Sequence, residues 1–146
     1  MTVNWTLTID CRSPAAMAAF WATALGYVEA SPPAGFASWE EWAVKMGVPE
    51  EEWDDGAAIE DPEGIRPRIS FLKVPEPKTV KNRVHLDIQA GGGRAEPQEI
   101  RWARVQETVA RLLAAGGTVR SEVFRDDGTP DHVVMADPED NEFCVV

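Results

Sequence analysis

Between Asn4 and Asp10 the chain alternates, with Trp5, Leu7 and Ile9 on one side and Asn4, Thr6, Thr8 and Asp10 on the other, which is the two-residue period of a β-strand. At Ser13-Pro14 the period changes. Serine as an N-cap with proline at the first helical position opens a helix, and Met17, Phe20, Trp21 and Leu25 give it one buried face before Gly26 stops it. A short strand over Tyr27 to Ala30 is predicted next. The same order returns later. Arg83 to Gln89 alternates, with Val84, Leu86 and Ile88 opposed to His85, Asp87 and Gln89. Glu99 to Ala115 is predicted as a helix, with Ile100, Val105, Val109, Leu112 and Leu113 as its buried stripe and Gly116-Gly117 as its end. Strands follow at Thr118 to Phe124 and Asp131 to Ala136, around an Asp126-Asp127-Gly128 turn.

A second repetition joins these runs. Asp61-Pro62-Glu63-Gly64 and Asp137-Pro138-Glu139-Asp140 each lie between β-rich segments and read as hairpin turns. Ala57 to Glu60 and Arg68 to Val74 flank the first; Asp131 to Ala136 and Asn141 to Val146 flank the second. The predicted order is β-α-β-β-β written twice, an α+β class. Its modules span 1–74 and 83–146, and a linker at 75–82 is interrupted by Pro75 and Pro77. The first module is longer between matched landmarks: 35 residues separate Gly26 from Asp61, against 21 from Gly116 to Asp137. The excess belongs to an insertion at 31–56 that holds Phe36, Trp39, Trp42, Met46 and Trp53, a partial capping box at Ser38-Trp39-Glu40-Glu41, and an acidic run from Glu50 to Asp55. Two readings fit these aromatics: a lid over a ligand, or glue that fixes the insertion to the body.

Composition narrows the partners. The net charge of -11 disfavours nucleic acid and anionic membranes, both of which call for a basic surface. No apolar run of spanning length and no leader pattern occurs, so a cytoplasmic location is expected. With 44% hydrophobic residues the chain can bury the core of one compact domain or of two halves packed together. Cys11 and Cys144 stand far apart without a CxxC spacing and are read as reduced and mostly buried. Ala90 to Glu96 is glycine-rich but lacks a phosphate-loop pattern.

The doubled order, a histidine on the strand that opens the second half, and the DPxxN turn before the last strand together resemble the vicinal oxygen chelate superfamily, which includes glyoxalase I, extradiol dioxygenases and the bleomycin resistance proteins. Asp10-Cys11, Ala19-Phe20-Trp21, the run from Val74 to Asp87, and Asp137-Pro138-Glu139 to Val145 are similar to the glyoxalase-like domain group. The resemblance implies two βαβββ modules forming a cupped mixed sheet, helices outside, with a groove for a small molecule, and it makes a homodimer a plausible assembly. Metal-using relatives carry ligands at positions matched here by His85, by Cys144, by Thr6 or Thr8, and by Ser70 or Leu72. On that match His85 alone is a metal candidate, and no cofactor is expected; the alternative is a divalent ion such as Zn, Ni, Fe or Mn.

Candidate site residues follow. His85, Asp87 and Glu142 are the candidate catalytic groups, because an imidazole beside carboxylates can serve as acid and base. Thr6, Thr8, Trp39, Trp42, Trp53, Leu72, His132 and Cys144 are the candidate ligand-binding residues, His132 also fitting a packed flat ring. Trp5, Trp21 and Trp102 are assigned to packing. The expected function is binding or sequestering a small aromatic or cationic compound without a full metal site. The alternative is a lyase, isomerase or dioxygenase acting through His85 with Asp87 or Glu142.

Overall fold

The computed structural model describes residues 1–146. The chain divides into two compact units, one comprising Met1–Ala22 and Gly26–Pro77, the other Thr23–Leu25 and Lys78–Val146. Each contains a four-stranded mixed sheet, and together with the helices they make an α+β fold with no closed barrel. No helix is long and apolar enough to cross a membrane.

In the first unit the strands β1 (Leu7–Cys11), β2 (Val28–Glu29), β3 (Gly56–Glu60) and β4 (Ile69–Lys73) are ordered β1-β4-β3-β2, with β1 parallel to β4 and the other pairs antiparallel. Helix α1 (Pro14–Leu25) ends on Gly26 in the left-handed region, φ 70°. Met17, Phe20 and Trp21 from α1 and Cys11, Ile59, Ile69 and Phe71 from the sheet form the core, each 4% exposed or less. Burial of a side chain of the larger kinds contributes about 1.5–3 kcal/mol.

The insertion folds as α2 (Trp39–Met46) followed by a 3-10 helix over Glu50–Asp55. The Ser38 hydroxyl accepts from the Glu41 amide at 3.1 Å, and the Glu41 carboxylate accepts from the Ala37 amide at 2.7 Å, one residue before the position a capping box would use.

The second unit repeats the topology. Strands β5 (Asp87–Ile88), β6 (Thr118–Phe124), β7 (Pro130–Ala136) and β8 (Glu142–Val145) are ordered β5-β8-β7-β6, with β5 parallel to β8, and α3 (Gln98–Ala114) packs on the sheet. The two Asp-Pro turns match in detail. Gly64 and Asp140 both stand at φ 67°, each donating its amide to the carbonyl of the turn's opening aspartate, Asp61 at 2.9 Å and Asp137 at 3.0 Å. Those aspartates are buried, and their carboxylates accept backbone amides: Glu63 and Arg66 on Asp61, Glu139 and Asn141 on Asp137.

Several expectations are corrected. The first strand begins at Leu7, where pairing with Ile69 starts, so Asn4 to Thr6 lie outside it and Trp5 is 66% exposed rather than packed. Ser13 flanks α1, but its side chain makes no capping bond. Of the run Arg83 to Gln89 only Asp87–Ile88 joins a ladder, which places His85 just before the strand. On α3 the buried side chains are Arg101, Val105 and Leu112, whereas Ile100 and Leu113 are exposed. The stripe is rotated by about one residue because Arg101 has polar partners inside: its guanidinium donates to the Asp131 carbonyl at 2.5 Å and to Gln98 Oε1 at 3.4 Å.

Candidate functional site

Alternation along β7 and β8 divides the second sheet into two faces. Val133, Met135, Phe143 and Val145 point to the core, each 2% exposed or less, where Val105 and Leu112 of α3 are equally buried. The opposite face carries Glu142, Cys144 and Val134, and the β5–β8 register sets Asp87 directly across from Cys144. His85, two residues before Asp87, projects on the same side, its Nε2 lying 3.4 Å from Asp87 Oδ1. A ligating atom from each of His85, Asp87 and Cys144 lies within 4.8 Å of the other two. The histidine and aspartate side chains are each 52% exposed, and the thiol is half-buried.

The electrostatics of this face are uneven. Burial, and after it the negative charge and hydrogen bond of Asp87, push the Cys144 thiol up from its ordinary value, so it stays protonated at neutral pH and is a poor nucleophile as it stands. Glu142, one pleat from Cys144, is paired with Lys81, whose hydrogen bond is the main cause that holds its carboxyl below the ordinary range. The amide of Glu142 donates to Asn82 Oδ1 at 3.1 Å, so the segment before β5 is tied to β8 at that point.

A cation offered to the three donors would meet an imidazole nitrogen, a carboxylate oxygen and a sulfur. Zinc accepts all three and in catalytic sites commonly keeps three protein ligands and one open position. Tetrahedral zinc places its ligand atoms about 3.3–3.6 Å apart, given bond lengths of roughly 2.0–2.3 Å. The His85–Asp87 separation already meets that spacing, and the 4.8 Å limit on the set leaves a small closure for half-exposed side chains to make. The residues therefore fit a divalent ion, with two donors besides His85.

The other candidate residues fall as follows. His132 Nδ1 lies 2.9 Å from Asp131 Oδ2, and the same carboxylate takes Arg94 and Arg125, each at 3.0 Å, through Oδ1. These hydrogen bonds, led by His132, hold Asp131 well below the usual carboxylate range. In the first unit Thr6 and Thr8 are exposed, Thr8 facing Ser70, while Leu72 is 49% exposed opposite Asp10. Trp39, Trp42 and Trp53 are half-buried; Trp39 donates to the Ala30 carbonyl at 2.7 Å and Trp53 to that of Val48 at 3.0 Å. Trp39 also meets Trp42 edge to face at 5.6 Å and lies under the Arg68 guanidinium. The Trp39 indole thus ties the insertion to the residue just before it, and the Trp53 indole closes a bond within the insertion. Reading the sequence missed Lys81, Arg101 and Asp131. Only Arg101 left a trace, as a charge one step from the apolar stripe of α3.

A family model described as a glyoxalase-like domain matches residues 6–146. The chain belongs to this family. Among solved structures, a glyoxalase/bleomycin resistance protein/dioxygenase family enzyme from Burkholderia phytofirmans is 17% identical over 96% of this chain and 94% of that one, with a TM-score of 0.56. The genomically encoded fosfomycin resistance protein from Listeria monocytogenes is 12% identical over 99% and 92%, with a TM-score of 0.61. At these identities the likeness establishes the fold of the vicinal oxygen chelate superfamily for this glyoxalase-like chain. No curated protein matches it.

Proposed function

We propose that this glyoxalase-like protein acts on a small molecule at the open face of its second sheet, with His85, Asp87 and Cys144 holding a divalent ion of the zinc kind. The observation that carries the reading is the convergence of three different donors within 4.8 Å, at a place where the sequence suggested one. Such an ion supplies Lewis-acid polarisation of a substrate oxygen. The chain's own residues bind and orient: Asp87 sits against the imidazole, and Glu142 offers the next polar group about 6.5 Å along the strand, two residues at a rise near 3.3 Å. Reaction types compatible with Lewis-acid polarisation here are those of the lyase and isomerase classes.

The test is metal analysis of the full chain purified without chelator, followed by zinc titration of the stripped protein. One equivalent bound, and its loss in His85→Ala and Cys144→Ser, supports the reading; no zinc uptake by the folded wild-type chain ends it. A second reading, sequestration of an aromatic compound without a metal, is favoured by the three half-buried tryptophans of the insertion. It requires a saturable change in tryptophan fluorescence that persists in the metal-free protein.

A further inference from the structure

The second unit contains an open, solvent-facing cavity of about 360 Å³, a depression in the surface whose charged lining is Lys78, Lys81, Arg120, Asp140 and Glu142. In a chain of net charge -11 this collects three of the 14 basic side chains around one hollow, where they outnumber the carboxylates by one. Two backbone irregularities converge there. The β6–β7 register slips between Val119 and Ser121, leaving Arg120 as the extra residue of a bulge, a device that re-aims a side chain. Asp140 occupies a left-handed conformation that its counterpart in the other Asp-Pro turn meets with glycine, and its carboxylate takes Arg120 Nη2 at 2.5 Å.

The cations keep donors in reserve. Arg120 presents five N–H groups and Lys78 and Lys81 three each; the recorded partners are Asp140 for Arg120, the Val80 carbonyl for Lys78 and Glu142 for Lys81. Asp140 is 73% exposed and Glu142 30%; exposed ion pairs contribute little to stability, so an incoming anion can exchange with Asp140 while Lys81, itself 79% exposed, turns its remaining donors to it. An oxyanion matches the guanidinium fork in a way that a neutral or cationic group does not.

We infer that this cavity binds the oxyanion group, carboxylate or phosphoryl, of a small ligand. Glu142 lines it and also lies on the face of Cys144, one pleat on, so the cavity and the three donors serve opposite ends of one molecule. The joint use of the two sites by one molecule rests on the proposed function; binding of the anion does not.

The experiment titrates the full-length, isotopically labelled protein with sodium phosphate and, separately, sodium acetate, against sodium chloride of equal ionic strength, and follows backbone amides by NMR. Saturable shifts confined to residues 78–82, 120 and 140–142 are expected in at least one arm. Saturation by phosphate alone assigns a phosphoryl group, and saturation by acetate a carboxylate. Arg120→Gln should weaken the stronger anion roughly tenfold, with Arg120→Lys in between, because the fork and not only the charge is lost. Lys78→Gln, on an exposed linker, is the second variant should the first perturb the sheet. Linear or dispersed shifts in both arms, or saturation that neither glutamine variant changes, overturn the assignment. His85→Ala, which removes one of the three donors, leaves the anion titration unchanged, so failure of that set and failure of the cavity are read apart.

Discussion

Across β1 and β4 of the first unit, Asp10 faces Leu72; across β5 and β8 of the second, Asp87 faces Cys144. Two residues earlier stands Thr8 on β1 in one case and His85, just before β5, in the other. The two sheets thus share strand order and cross-strand pairing, yet one places a hydroxyl, a carboxylate and an isobutyl group where the other places an imidazole, a carboxylate and a thiol. The scaffold constrains the positions and leaves the donors free to differ. The clustered donors lie in the second unit, and the first spends its extra residues on an aromatic insertion.

Four measurements break or sharpen that contrast. The largest effect is expected in zinc affinity: His85→Ala or Cys144→Ser should lower it at least a hundredfold, since even supporting residues of a metal site cost about 10–100-fold, while Thr8→Ala and Leu72→Ala leave it unchanged. Equal losses in both pairs would abolish the distinction. Affinity in the wild type should rise with pH across the neutral range, because the thiol's raised pKa means that a proton must leave on coordination.

Next is Asp131, which joins Arg94, Arg101, Arg125 and His132, whereas Asp55, placed alike before the first Asp-Pro turn, pairs with Lys73. Asp131→Asn should cost about 2 kcal/mol in denaturant unfolding, the scale of hydrogen bonds to a charged group. The folded carboxyl titrates below its ordinary value near 3.8, so its contribution is complete above that pH and is lost as pH falls beneath it. The gap between wild type and variant should therefore hold at neutrality and close on acidification. A gap that widened in acid would contradict the sign.

The two Asp-Pro turns test sameness instead. Asp61→Ala and Asp137→Ala should each destabilise by roughly 1.5 kcal/mol, because each strips a buried carboxylate from two backbone amides. The smallest change is Ser38→Ala in the insertion, about 1 kcal/mol from loss of the N-cap of α2.

The doubled element order was legible because alternation, helical stripes and Asp-Pro turns are local signals. Register was half legible. Parity put His85 with Asp87 and Glu142 with Cys144, but which residue of β5 faces which of β8 depends on a parallel pairing between segments more than 50 residues apart. That pairing turns a lone histidine into one of three donors. Arg101 was hidden for a different reason: a guanidinium is buried only when its partners are built around it, and those lie on β7 and in the first turn of α3 itself. Gly91 is part of that accommodation. A methyl group there would come within 2.5 Å of the Arg101 side chain.

Strand β5 has only two residues in its ladder, and one further bond, from the Cys144 amide to the Leu86 carbonyl at 2.9 Å, reaches back toward His85. Of the three donors, then, one is anchored in an interior strand and two sit on a hem that is barely stitched to it. Deuterium should enter the amides of residues 83–85 well before those of β7 and β8, and anything that fastens His85 to Cys144 should slow that entry at the hem while leaving the rest of the sheet as it was.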